Sequence, residues 1–271
     1  MAEKDYVLGT HDEEIERLGL QHRVWRPWTS DAWRRAGFTA GQTLLDIGCG
    51  PGYASVDLAE IVGPAGRVVA VDRSRRFLDA LESRCRERGI GNVEAHEIDL
   101  SEGAIPVANA DGAWARWVFA FVPRPRALLE RVARALKPGG IFVSFEYFEY
   151  VSWRLIPESP ELRELVAAVM DTWRASGGEP DIGRELPVWL PELGFWIESL
   201  RPIIDVIAPT SYVWQWPKTF IEVGVARMVE LGRFSSERAR EISAAFTAAE
   251  ANPNTLMVTP AVLEIIAVKT G

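Results

Sequence analysis

A glycine-rich run that holds one acid, with two more acids spaced behind it, defines the chemistry open to this chain. The run LLDIGCGPG, residues 44–52, sets Gly48, Gly50 and Gly52 at alternate positions. Glycines in a turn admit positive φ and let a ligand approach the backbone, and a helix that follows presents unpaired N–H groups. Asp46 stands two residues before Gly48. A carboxylate there opposes a pyrophosphate and favours a ligand with an ammonium or sulfonium cation. Tyr53 occupies the place of the third glycine of a dinucleotide fingerprint, and no Gly-Lys-Ser/Thr follows as in a phosphate-cradling loop. Asp72 ends the next apolar run, where an acid commonly hydrogen-bonds ribose hydroxyls, and Asp99 ends the one after. Cys49 has no cationic or basic neighbour in sequence and reads as a small buried filler.

Placing these acids along one edge requires strands that all end there, and the pattern supplies them. Apolar runs at 43–47, 68–71, 93–98, 113–118 and 141–145 read as strands, and 53–62, 75–88 and 125–136 read as the helices between them. Gly63-Pro64 stops the first of these helices, Ser74 caps the second, and residues 137–140, Lys-Pro-Gly-Gly, turn into the fifth strand. Strands alternating with helices imply right-handed crossovers and a parallel sheet, with the acids near its topological switch point. Ahead of the sheet, Thr10 and Glu13 form a capping box for a helix whose Ile15, Leu18, His22 and Trp25 share one face. Pro27 is expected to break that helix, and Ser30 to cap a second short one. Beyond Glu146 the expected helices are 161–175, 186–193, 220–232 and 235–250, and the expected strands are 196–207 and 256–268. Pro260 in the last strand calls for an edge or a bulge.

The run LLDIGCGPGYASVDLAE resembles the first motif of class I S-adenosylmethionine-dependent methyltransferases, and VVAVDRS resembles their acidic second motif. DGAWARWVFAFV and LKPGGIFVSFEY resemble the fourth and fifth strands of the branch that holds the ubiquinone/menaquinone-type small-molecule enzymes. The likeness is strong over residues 43–147 and weak elsewhere. It implies a Rossmann-like, seven-stranded, mostly parallel sheet with helices on both faces. N-terminal helices and a helical cap insertion are added to that sheet. The implied organisation is a lid at 1–40, a cofactor-binding core at 41–148, and the last strands with an inserted cap at 149–271. The implied cofactor is S-adenosyl-L-methionine. Asp46, Gly48 and Gly50 would line the amino-acid part of the cofactor, with Gly52 also among the cofactor-binding residues, Asp72 would bind the ribose diol with Arg73 beside it, and Asp99 and Leu100 would flank the adenine. Arg116 and Trp117 would sit by the methionine moiety and the methyl group, and Tyr6 and Gln21 would reach over the cofactor from the N-terminal helices.

Methyl transfer from a sulfonium is an in-line displacement in which alignment contributes most, and a base is needed only when the acceptor must lose a proton. The three histidines are His11, His22 and His96, which excludes a histidine base in the late sheet or cap. His22, Glu146 and Tyr147 are the candidate catalytic groups. No Asn-Pro-Pro-Tyr motif follows the fourth strand, which disfavours adenine and glutamine amino groups as acceptors, and no clustered ligands imply a metal. Readings from other classes are a cofactor-binding protein without methyl transfer and an NAD-dependent oxidoreductase; Asp46 and the missing third glycine argue against the second.

With 271 residues, 48% hydrophobic and 25% charged, the chain suits one α/β domain with an insertion. A net charge of −8 without a basic cluster disfavours nucleic acid and anionic membrane as partners, and leaves a small-molecule acceptor. Two cysteines, no signal peptide and no apolar run long enough to span a bilayer point to the cytoplasm. Eleven tryptophans stand out. Facing a cleft, they imply a flat apolar or aromatic acceptor; filling the cap or a dimer interface, they say nothing of it.

Overall fold

A computed structural model describes residues 12–271. Five runs rich in aliphatic residues pair in parallel: β1 (Thr43–Ile47), β2 (Arg67–Asp72), β3 (Val93–Glu97), β4 (Ala110–Arg116) and β5 (Leu136–Glu149), in the order β3-β2-β1-β4-β5. The central strands are buried on both faces, as parallel strands covered by helices must be. The covering helices are α1 (Asp12–Arg35), α2 (Tyr53–Val62), α3 (Arg75–Arg88) and α4 (Pro125–Ala135). Ser74 caps α3 by accepting from the Phe77 N–H. The sheet continues through β10 (Ala261–Lys269), antiparallel to both neighbours, to an edge strand β7 (Phe195–Ile203). Seven strands, one of them antiparallel, form the Rossmann-like frame expected from the motifs. Strand order reverses between β1 and β4, and a crevice opens there beyond the carboxyl ends.

A second layer sits over that edge. Helices α5 (Pro160–Ala175), α7 (Gln215–Glu230) and α8 (Ser236–Ala251) pack on one another, and α7 packs on α1. α6 (Leu186–Glu192) lies against α4 and β7. A small antiparallel sheet, β6 (Arg154–Ile156), β9 (Leu256–Val258) and β8 (Val206–Ile207), completes the second layer. Trp25, Trp117, Trp216, Tyr147, Tyr150 and Trp173 form a buried aromatic seam between the two layers. This decides between the two readings of the tryptophans. Trp25, Trp33, Trp153, Trp173, Trp214 and Trp216 are core, Trp196 on β7 is exposed, and only Trp114 and Trp117 border the crevice described below.

Three expectations fail. Pro27 does not break the first helix: α1 runs through it, and no second helix starts at Ser30. The Thr29 hydroxyl donates to the Arg26 carbonyl there, and the buried Trp25, Thr29, Ala32 and Trp33 hold both halves to the sheet. The strand expected at 196–207 divides into β7 and β8, which belong to different sheets, and the one at 256–268 divides at Pro260 into β9 and β10. A residue without an N–H marks the point where the chain leaves one ladder for the other. Tyr6, Thr10 and His11 lie outside the described residues.

Candidate active site

The carboxyl ends of β1 to β4 enclose a cavity of about 400 Å³ with α1 above it, within the size range of small-molecule sites. Asp46, Gly48, Gly50, Asp72, Arg73, Asp99, Leu100, Arg116, Trp117 and Gln21 all border it. The glycine turn uses left-handed backbone at Gly48, Gly50 and Gly52, with φ of 63°, 54° and 80°. Gly52 departs from its expected role. A Cβ there would meet Leu81 Cδ1 at 2.2 Å, so it lets α3 pack closely and does not border the cavity.

The acids differ in setting. Asp46 is buried and accepts the Ser55 hydroxyl at 2.5 Å. Burial pushes its carboxyl up to about 7, against Ser55 and Arg116, while Asp72 adds to the rise. Asp72 accepts the Gly50 N–H at 2.9 Å and the Ser74 N–H at 2.9 Å, which ties the end of β2 to the glycine turn. Its carboxyl is also raised by burial. Asp99 is exposed at the rim and accepts the Ser101 N–H.

Arg116 closes β4. Burial lowers its guanidinium to about 10, with Asp46, Tyr147 and Asp57 opposing the fall. Its Nη1 is sealed from solvent and has no hydrogen-bond partner among the described residues. The next residue, Trp117, takes φ 52°, a conformation costing about 1–3 kcal/mol for a bulky side chain. Three contacts hold it: its N–H donates to the Phe145 carbonyl, and the Val118 and Phe119 N–H groups donate to Glu146 at 2.7 and 2.9 Å. Its ring lies between Tyr147 at 5.3 Å and Trp216 at 5.7 Å.

The catalytic candidates are therefore placed elsewhere. Glu146 is fully buried beneath the turn after β4 and faces amides, because those N–H groups have no strand partner. Tyr147 belongs to the aromatic seam. His22 sits on α1, buried between Asp57 and Arg116, outside the cavity wall. Asp57 on α2, which also takes Arg26 at 2.8 Å, was not foreseen. Its signal in sequence was only a carboxylate among the mostly small and apolar residues of α2. Leu18, Tyr53, Phe77, Glu97 and Ser101 also border the cavity without having been anticipated.

An orphaned guanidinium nitrogen calls for an anionic acceptor, and a buried carboxylate beside it calls for a cation. Together they suit a zwitterionic amino-acid group at the β1–β4 end, with Asp72 left for a sugar diol. A pyrophosphate at the same place would meet Asp46 and Asp72.

Residues 44–140 match the family model described as a methyltransferase domain. The demethylmenaquinone methyltransferase of Geobacillus kaustophilus is 32% identical over 139 residues, covering 51% of this chain and 59% of that one. The chain spans less than two thirds of the length of the curated relatives it matches. Among solved structures, the cyclase SpnF superposes with a TM-score of 0.58 at 20% identity, covering 90% of this chain and 81% of that one. A phosphoethanolamine N-methyltransferase of Haemonchus contortus, solved with S-adenosylhomocysteine, gives 0.52 at 18% identity, covering 86% and 50%. At such identities the structural likeness speaks for the fold alone.

Proposed function

We propose that the chain, whose residues 44–140 match a methyltransferase domain, is an S-adenosylmethionine-dependent methyltransferase acting on a small molecule. The observation that carries the reading is the convergence around one cavity of Asp46, Asp72 and Asp99 with Arg116, whose Nη1 has no hydrogen-bond partner among the described residues. Asp46 and the Gly48–Gly50 turn would take the ammonium end of the cofactor, and Arg116 its carboxylate, with Gln21 above. Asp72, with Arg73 beside it, would hold the ribose, Asp99 and Leu100 the adenine, and Trp117 the side that carries the methyl. When bound, the cofactor supplies a methyl group on a sulfonium whose leaving group is a neutral thioether. The chain's own share is alignment and exclusion of water, worth up to about 7–11 kcal/mol. His22, Glu146 and Tyr147 are each committed to protein partners, which supports an acceptor that arrives already nucleophilic.

In this reading residues 1–40 form the lid, 41–148 the core and 149–271 the last strands with the cap, and the protein works in the cytoplasm without nucleic acid. Cys49 and Cys85 are free, which fits a reducing compartment. No described helix is long and apolar enough to cross a membrane. Calorimetric titration with S-adenosylmethionine and S-adenosylhomocysteine should give micromolar binding, lost in Asp72→Ala, with NAD as the silent control. Preference for NAD would overturn the cofactor. Tight binding with no S-adenosylhomocysteine formed from any of a panel of aromatic and aliphatic acceptors would favour a protein that uses the cofactor without methyl transfer.

A further inference from the structure

α1 and α2 meet the site through polar contacts that the acids and glycines do not explain. Asp57 accepts Arg26 Nε at 2.8 Å and Nη2 at 3.3 Å, and its Oδ2 lies 3.1 Å from His22 Nε2. A carboxylate there places the imidazole proton on Nε2 and leaves a lone pair on Nδ1. Arg116 Nη2 stands 3.5 Å from that Nδ1. The imidazole is further fixed by stacking on Tyr53, with ring centroids 5.9 Å apart. Asp46 and Tyr147 act on the same guanidinium, and Arg26 lies beyond Asp57. So one nitrogen of Arg116 is held from behind, and the other, Nη1, is buried and unpartnered where the residue borders the cavity.

We propose that His22 is a positioning residue: backed by Asp57, it holds Arg116 through Nη2 so that Nη1 is left for the carboxylate at the amino-acid end of the cofactor. This rests on the methyl-donor reading above. The protonation state agrees with the role. Burial, joined by Arg116 and Arg26, outweighs Asp57 and holds the imidazole below its ordinary range, so it is neutral and able to accept. An imidazolium has no lone pair to offer and would repel the guanidinium.

Two ligands separate this role from simple support of the helix: S-adenosylhomocysteine, and 5′-methylthioadenosine, which lacks the amino-acid end. His22→Leu should weaken the first about tenfold, the weight of one misaligned hydrogen bond to a charged group, and leave the second nearly unchanged. His22→Asn, which keeps an acceptor oxygen in reach, should restore most of the loss. Equal loss for both ligands, or loss for neither, would overturn the proposal. The contact is also checked without ligand, by NMR titration of the His22 ring: Arg116→Met should raise its pKa, and an unchanged value would overturn the proposal. If the wild-type chain binds neither ligand while the ring titration behaves as expected, the cofactor reading has failed and the His22–Arg116 contact stands.

Discussion

Glu146 holds a proton that its sequence neighbours give no reason to expect. Burial pushes its carboxyl up to about 8, although amides of the turn after β4 pull the other way. The folded chain therefore keeps a proton that the unfolded chain releases near 4.5. The stabilisation is complete below that point and is lost as pH rises through about 8. Urea unfolding across this window should show the wild type losing up to about 1.4 kcal/mol per pH unit relative to Glu146→Gln. Parallel curves for the two proteins would mean that the carboxyl is ionised and solvated. At this scale the sequence was informative wherever a residue's task follows from its place at a strand end. Asp46, Asp72, Asp99 and Arg116 border the cavity as their positions implied. Glu146 directly follows the strand expected at 141–145, yet it lies within β5 and away from the cavity; its role depends on the left-handed backbone of Trp117, and no spacing reveals a strained φ at a tryptophan.

α1 was legible as a helix and misread in extent, because the propensity of one proline was weighed against nothing. What overrides Pro27 is tertiary: a face of tryptophans and small residues that docks on the sheet. The same helix carries Gly19, normally a cost of about 1 kcal/mol in a helix interior. Its reason lies across the gap, where a Cβ would stand 2.5 Å from the Tyr53 hydroxyl, the group that donates to the Ile15 carbonyl at 3.1 Å. Gly19→Ala therefore exchanges a gain in propensity for a clash at the roof of the cavity. We expect a lower melting temperature and weaker S-adenosylhomocysteine binding, read by scanning fluorimetry with and without ligand. A higher melting temperature with unchanged affinity would show that α1 shifts without cost. Tyr53 thus explains two oddities together, the missing third glycine of the loop and the glycine inside the helix above it.

Across the molecule, α1 is tied to the far strands by a half-buried ion pair. Glu264 on β10 is buried and takes Arg35 Nη2 at 2.5 Å, while Asp31 accepts both Arg35 and Arg201. Arg35→Met strands that carboxylate, with Arg201 at 3.9 Å offering partial relief, and should cost up to about 3 kcal/mol. The double change Arg35→Met with Glu264→Gln should recover much of it in denaturant unfolding; additive losses would mean that the pair acts through separate contacts. Contacts of this reach, like the mutual packing of α5, α7 and α8, join residues far apart in the chain, and no local periodicity encodes them. The placement of β10 has a further consequence for synthesis. It is an interior strand that follows both of its neighbours in the chain, hydrogen-bonded to β5 on one side and β7 on the other. Until residues 261–269 leave the ribosome, the growing chain presents two unpaired strand edges with an empty slot between them. Strands β1 to β5 can thus pair among themselves early, while the seven-stranded sheet closes only when β10 inserts between β5 and β7.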